Sequence, residues 1–472
     1  MIILVQSTKH MRKYRWLIFG MLTINTLQAQ EPLPALKKAF AKLEADSQMR
    51  YGLAALHVVD RATGKAVFSK NGSIGLAPAS SQKVITAAAA FELLGADFRY
   101  ATNFGYTGPV LSGDLQGKFV VEGSGDPTLG SDRFLQTRPE AIATALKKAL
   151  KDIQIQQVTG NIAGVAPGYE STAIPNGWIW EDVGNYYGAG HAGLNWHENQ
   201  YDLWLKPGKK AGDPVLVIRT VPALNGQVFD NELTSGKPGS GDNAFIYFKP
   251  GKAALNVRGT VPCCTDSFRI SGAVTDPGEF ALQQIKRLIG IKGNLEKITP
   301  VVITDRSGYN KIYTHYSPRL DSIVYWFLQK SVNLYGEALV HTVAQKEKGR
   351  ANYDSGISII RDFWASKGID KKALHIMDGS GLSPQNRVTA EALVGVMLYA
   401  RDRPWYPAFY DALPVYNGIK MKSGTIGGAK TYTGYIKSKS GKEYVFAIMV
   451  NNFSGSSSMI NKKLFDVLDA LK

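Results

Sequence analysis

The sequence predicts a mixed α/β protein in which one domain is split by a long β-rich insertion. Three observations carry that prediction. Helical patterns gather near the two ends of the chain, at 33–45, 80–94 and from 320 onward. Between about residues 98 and 297 the texture changes to short strand-like runs separated by Gly/Pro/Asp turns. The composition, with 48 Gly and 21 Pro, disfavours a pure helix bundle. At roughly 100–200 residues per domain, a chain of 472 residues holds two to four domains. The division read here is 30–97 plus 298–472 for the discontinuous domain and 98–297 for the insertion.

The first 29 residues read as a leader. Lys9, Arg12, Lys13 and Arg15 precede the apolar run Trp16–Leu27, and Leu27-Gln28-Ala29-Gln30 offers a small residue at a cut. Met11 is an alternative start. The run is shorter than the roughly 18–20 apolar residues a membrane span needs, so cleavage is expected rather than anchoring. No cysteine lies near the cut, which argues against a lipid anchor. The expected mature protein is exported and has no transmembrane segment.

In chain order, Leu33–Ala45 has the apolar spacing of an amphipathic helix. Leu53–Val59 and Ala66–Ser69 read as strands joined at Arg61-Ala62-Thr63-Gly64. Ser80–Leu94, rich in Ala and Leu and closed by Gly95, reads as a buried helix. Within the insertion only Pro139–Leu150 and Glu279–Leu288 read clearly as helices. Long helical patterns return at Leu320–Lys346, Tyr353–Lys367 and Thr389–Ala400. Three strands, Ile419–Thr425, Thr431–Lys437 and Tyr444–Asn451, then lead into a final helix.

Three short patterns carry chemistry. Ser80-Ser81-Gln82-Lys83 opens a helix, and residues i and i+3 share a face, so the Lys83 amine reaches the Ser80 hydroxyl. Serine is a poor nucleophile unless a base takes its proton, and a buried lysine of lowered pKa is such a base. The Val-Ile-Thr-Ala-Ala-Ala-Ala run after Lys83 is too apolar for a solvent face. Ser331-Val332-Asn333 interrupts a helical pattern and offers a hydroxyl for proton transfer and an amide for a substrate carbonyl. Lys422-Ser423-Gly424-Thr425 ends a strand and offers a cation for a substrate carboxylate, with Gly424 permitting close backbone approach. Ser69-Lys70-Asn71 and Lys439-Ser440-Gly441 repeat the letters but read as turns.

The order Ser-x-x-Lys, Ser-x-Asn, Lys-Ser-Gly follows the motif set of penicillin-binding proteins and class A β-lactamases, with Val332 and Ser423 as variant positions. The chain resembles the D-alanyl-D-alanine carboxypeptidase/endopeptidase family, the low-molecular-mass class C penicillin-binding proteins of peptidase S13 type. Supporting stretches are Pro78-Ala79-Ser80-Ser81-Gln82-Lys83, Gly123-Ser124-Gly125-Asp126-Pro127, Gly177-Trp178-Ile179-Trp180-Glu181-Asp182, Tyr186-Tyr187-Gly188-Ala189, His315-Tyr316-Ser317-Pro318, Asn333-Leu334-Tyr335-Gly336-Glu337 and Asp378-Gly379-Ser380-Gly381-Leu382-Ser383. The resemblance implies a β-lactamase/transpeptidase-like domain, an antiparallel sheet flanked by helices, with the interval between Lys83 and Ser331 as inserted small domains. It implies that Ser80 forms an acyl-enzyme with the penultimate D-Ala, Lys83 is the base, Ser331 relays a proton and Asn333 orients the acyl chain. Lys422, with Ser423 and Thr425, would hold the terminal carboxylate and disfavour the charged form of Lys83. Backbone N–H groups of Ser80 and Thr425 would form the oxyanion hole. Peptidoglycan stem peptides are the implied substrates, β-lactams the implied covalent inhibitors, and the periplasm the implied location; a homodimer is left open.

The net charge of +16 favours anionic partners, yet no Lys/Arg block of a nucleic-acid arm is present. Seven scattered His and two Cys offer no metal-ligand pattern, so neither metal nor cofactor is expected. Gly188–Gly193 and Gly424–Thr431 mimic nucleotide loops without the required strand and helix context. Adjacent Cys263 and Cys264 read as small residues of a turn or strand. Glu181 and Asn185, Asp126 and Asp378 read as structural. Two alternatives remain: a serine β-lactamase, against which the long insertion weighs, and a non-catalytic peptidoglycan-binding scaffold, against which the intact motifs weigh.

Overall fold

The computed structural model describes residues 33–170, 173–224, 226–249, 251, 254–298 and 308–472, and the expected leader lies outside the described residues. A six-stranded antiparallel sheet joins the two ends of the chain. Its order is Val415–Tyr416, Ile419–Ile426, Ala429–Lys437, Glu443–Asn451, Leu53–Asp60 and Ala66–Lys70. Alternate residues of a strand leave opposite faces, and this alternation assigns two cores. Ala55, Val59, Tyr435, Val445, Ala447 and Met449 pack with the central helices. Leu56, Val58, Tyr432, Phe446, Ile448 and Val450 pack beneath Leu33–Glu44 and Ser457–Asp469.

The first of these cores contains the helices Lys83–Leu94, Leu320–Gln329, Asn333–Lys348, Tyr353–Ser366 and Ala390–Arg401. Lys83–Leu94 is buried on every side from Lys83 to Phe91, as a helix apolar all round must be. Thr389 caps the Ala390 helix, its Oγ1 accepting from Ala392 N at 3.0 Å. The expected long helix over 320–346 is two helices, because the chain breaks at Lys330–Val332.

The middle of the chain builds its own hydrophobic core. A four-stranded sheet has the order Asn310–Tyr316, Ala101–Thr107, Lys118–Glu122, Asn161–Val165. The helices Pro139–Asp152 and Pro277–Ile289 cover it, the second capped by Asp276 and ended by Gly290 in the left-handed conformation. Two three-stranded sheets follow, one around Gln200–Lys206 and one around Leu255–Pro262. Asn310–Tyr316 pairs with Ala101–Thr107, so the returning chain crosses this region before it re-enters the six-stranded domain. Among the described residues no helix is long and apolar enough to cross a membrane.

Candidate active site

The chain before the buried helix is a single 3-10 turn, Ala79–Gln82, which runs directly into Lys83–Leu94. Residues i and i+3 eclipse in a 3-10 turn, and Lys83 Nζ donates to Ser80 Oγ at 2.9 Å. Lys83 also donates to Asn333 Oδ1 at 2.6 Å and to the Ser380 carbonyl at 2.8 Å. Lys83 is 0% exposed while Ser80 is half-buried, so the hydroxyl meets solvent and the amine does not. Ala79 has φ +45°, a left-handed conformation that a non-glycine residue adopts only under constraint. The constraint comes from Gly381 (φ +83°), where a Cβ would run into the Ala79 carbonyl. The loop and the turn that carries Ser80 therefore fit only backbone to backbone.

The second motif sits where two helices meet. Ser331 has φ +58°, which reverses the chain between Leu320–Gln329 and Asn333–Lys348. That conformation costs about 1–2 kcal/mol for an L-residue, and it presents the Ser331 hydroxyl to Lys422, whose Nζ donates to it at 3.1 Å. Asn333 Nδ2 donates to the Tyr187 carbonyl at 2.7 Å, which fixes the amide with its oxygen on Lys83.

The third motif lies on Ile419–Ile426. Only Tyr416 and Val415 pair with its outer side, opposite Ile419 and Lys420, so Lys422–Ile426 form an open edge among the described residues. Lys422 shares its face of the strand with Gly424, towards the turn that carries Ser80, and is 1% exposed; it also donates to the Ser423 carbonyl at 2.9 Å. Gly424 was expected to admit substrate, yet its Cα faces the protein itself. A Cβ there would strike Thr431 Oγ1, the Pro78 carbonyl and Ser81 N. Glycine thus lets the strand lie against the turn that carries Ser80. Ser423 donates to Tyr416 OH at 3.2 Å, and Thr425, exposed at the strand end, accepts from Lys430 Nζ at 2.7 Å.

Burial is the main cause that pulls Lys83 down to about 7, with Asp378 and Glu337 acting against it. Lys422 is pushed well below the ordinary lysine value by burial first and then by the charges of Lys83 and Lys430. The two buried amines repel each other when both are charged, so the pair resists carrying two protons at once. Near neutral pH the Ser80 hydroxyl therefore adjoins an amine that has a free electron pair for a proton.

Behind Lys83 stands a loop that the motif reading treated as structural. Asp378, fully buried, accepts from Gly381 N (2.8 Å), Ser383 N (2.7 Å), Asn386 Nδ2 (2.9 Å), Gln82 Nε2 (3.1 Å) and Trp178 Nε1 (2.8 Å). Five donors fold the loop so that the Ser380 carbonyl meets Lys83. Glu337 accepts from Gly379 N at 2.9 Å; burial, and then the neighbouring Asp378, raise it to about 8. Glu337 is thus mostly uncharged at pH 7, and Asp378, occupied by its five donors, is the first of the groups that favour the charged form of Lys83.

The residues the motif reading passed over are Tyr187, Trp178, Ser380 and Lys430. Tyr187 and Trp178 come from the insertion, and two of the four contacts use backbone carbonyls, which no side-chain pattern announces. Lys430 was readable: the Gly427-Gly428 turn sets Thr425 opposite Lys430 across the hairpin. Beside Tyr187, Asp182 is raised to about 6 by burial and by Glu181. Asn185 is structural, donating to the Glu181 carbonyl and accepting from Ile246 N. Of the look-alike triplets, Lys439-Ser440-Gly441 falls in a turn with Gly441 at positive φ, whereas Ser69 and Lys70 end the strand Ala66–Lys70 and only Asn71, at positive φ, lies beyond it.

The sequence profile of the D-Ala-D-Ala carboxypeptidase 3 (S13) family matches residues 36–418. A D-alanyl-D-alanine carboxypeptidase of Actinomadura sp. is 25% identical, across 90% of this chain and 83% of the relative. The D-alanyl-D-alanine carboxypeptidase DacB of Haemophilus influenzae is 24% identical, across 81% and 82%. The crystal structure of penicillin binding protein 4 (dacB) from Haemophilus influenzae is similar with a TM-score of 0.76 at 20% identity, covering 92% of this chain and 99% of that one. The similarity is one of fold, the DD-peptidase fold, which in this chain is an antiparallel sheet with helices on both faces and an insertion after the helix Lys83–Leu94. With the family profile spanning most of its length, the chain belongs to the D-Ala-D-Ala carboxypeptidase 3 (S13) family.

Proposed function

We propose that this protein is a serine D-Ala-D-Ala carboxypeptidase that trims peptidoglycan stem peptides through an acyl-enzyme on Ser80. The observation that carries the reading is the buried Lys83 amine, 2.9 Å from Ser80 Oγ and pulled down to about 7. Ser80 Oγ attacks the carbonyl of the penultimate D-Ala and its proton passes to neutral Lys83 Nζ. The terminal D-Ala leaves as its amine is protonated through Ser331, whose hydroxyl is already held by Lys422. Asn333 Nδ2 and the open edge of Ile419–Ile426 orient the acyl chain, and backbone N–H groups of Ser80 and Thr425 receive the oxyanion. Water, deprotonated by the same amine, then splits the ester and restores Ser80.

A β-lactam presents the same carbonyl to Ser80 and is a covalent inhibitor in this reading. The expected division, 30–97 with 298–472 for the peptidase domain and 98–297 for the insertion, is corrected at one boundary, because Asn310–Tyr316 completes the insertion's sheet and belongs with it. The basic and apolar run of residues 9–27 supports export to the periplasm, where peptidoglycan lies. The test is release of free D-alanine from a peptide ending in D-Ala-D-Ala. The wild type releases it and Ser80→Ala does not; a wild type that releases none overturns the proposal.

A further inference from the structure

The family resemblance implies a carboxylate anchor made of Lys422 with Ser423 and Thr425, but the surroundings of Lys422 suit another task. Lys422 is 1% exposed, and two of its three N–H groups are engaged by Ser331 Oγ and the Ser423 carbonyl. Its work is to hold the Ser331 hydroxyl. A different lysine stands across the hairpin, near enough for its charge to act on Lys422. Lys430 follows the Gly427-Gly428 turn and pairs across the hairpin with Thr425. Its Nζ donates to Thr425 Oγ1 at 2.7 Å, and it is half-buried beside an exposed threonine.

Three features make this pair an anion receptor. First, among the described residues no carboxylate pairs with Lys430; its other neighbour is the Tyr432 ring, 5.2 Å from Nζ. Second, an ammonium has no acceptor, so the Thr425 hydroxyl, which accepts from Lys430, must direct its own hydrogen elsewhere. Third, the charge of Lys430 reaches Lys422 and disfavours its protonation, so an arriving anion relieves repulsion between the two. Thr425 and Lys430 leave the sheet on the face opposite Lys422 and Gly424. At an open edge strand the two faces meet, so a chain lying along that edge has Lys422 on one side and Lys430 on the other.

We propose that Lys430, acting with the Thr425 hydroxyl, is the direct binding group for the terminal carboxylate of the substrate, and that Lys422 orients Ser331. The inference rests on the DD-peptidase reading and names the part of the site that recognises a free C-terminus.

The experiment uses two acylating agents with one N-acyl-D-alanyl thioester group. One leaving thiol ends in a carboxylate and the other in a carboxamide. Acylation rate constants are measured for the wild type, Lys430→Gln and Lys430→Arg. A charge-assisted hydrogen bond sets the scale, so Lys430→Gln lowers acylation by the carboxylate agent about ten- to hundredfold. Its loss with the carboxamide agent is at least tenfold smaller, while Lys430→Arg keeps the wild-type preference for carboxylate. Equal losses with both agents, or an unchanged carboxylate preference in Lys430→Gln, overturn the inference. A wild type acylated by neither agent overturns the peptidase reading instead, and the two failures are thereby distinct.

Discussion

Two buried polar clusters flank the helix Asn333–Lys348, and they are built on opposite principles. Around Glu198 everything is paired. Its carboxylate accepts from Arg133 Nε (2.7 Å) and Nη2 (3.1 Å), Ser131 Oγ (2.8 Å) and Tyr335 OH (2.7 Å). Arg133 also lies over the Trp326 ring, 5.2 Å from its centroid. Around Lys83 the amine finds only neutral acceptors, Ser80, Asn333 and the Ser380 carbonyl. The first cluster joins the insertion to the helix that carries Asn333, and its closure makes it a rivet. The second leaves one amine half-way between its charged and neutral forms. Buried charge that is fully matched stabilises position, and buried amine that is left unmatched is poised to move a proton.

Lys83→Met breaks the second cluster and should cost the most. Methionine fills much of the lysine volume, so folding is retained, while acylation of Ser80 falls about a thousandfold or more with loss of the base. Stopped-flow labelling with a chromogenic β-lactam, beside a thermal melt, separates the two effects.

Arg133→Ala breaks the first cluster. It strands the Glu198 carboxylate and should lower stability by about 3 kcal/mol. The turn under strain adds to the sensitivity, since His197, Glu198 and Asn199 all have positive φ. Asn199 holds that turn through Gly190 O and Asn195 Oδ1, each at 2.8 Å. The surviving folded fraction should keep the wild-type pH profile, because Arg133 touches none of Ser80, Lys83 or Lys422. Denaturant melts and a pH series on one preparation check both halves.

The pH profile of the wild type sharpens the contrast. A lysine depressed to about 7 is neutral above that pH and charged below it. Acylation should therefore rise as pH increases, falling about tenfold per unit below 7 and levelling off above it. A flat profile between pH 5 and 8 contradicts an unmatched amine.

Glu337→Gln gives the smallest expected effect. A carboxyl raised to about 8 is already neutral at pH 7, and glutamine keeps an oxygen for Gly379 N. Stability should change by no more than about 1 kcal/mol and activity by less than about threefold. A large loss means that Glu337 is charged beside Lys83 and that the second cluster is matched after all.

Which of these features could be read in advance follows from how local each is. Ser80 and Lys83 lie three residues apart, and a helical turn alone joins them. The strands of the six-stranded sheet declared themselves as short apolar runs rich in β-branched residues between turn signals, Leu53–Asp60 and Glu443–Asn451 above all, and both are buried at nearly every residue. The support of Lys83 did not, because Ser380 and Asp378 come from a loop nearly the whole domain away in sequence. The same holds for Tyr187, which acts through its carbonyl, and for the strained φ of Ser331, which is imposed by tertiary packing. Gly424 was read correctly as a point of close approach but with the wrong neighbour, since a glycine reports closeness and not what is close. Asn310–Tyr316 carries no mark of the sheet it joins, because its partner Ala101–Thr107 lies across the insertion.

The most direct test of the account is peptide mapping after a short β-lactam pulse on the intact protein. The account predicts a single added acyl group, carried by the peptide that contains Ser80 and absent from Ser80→Ala. An unmodified protein, or an adduct on another residue, contradicts it.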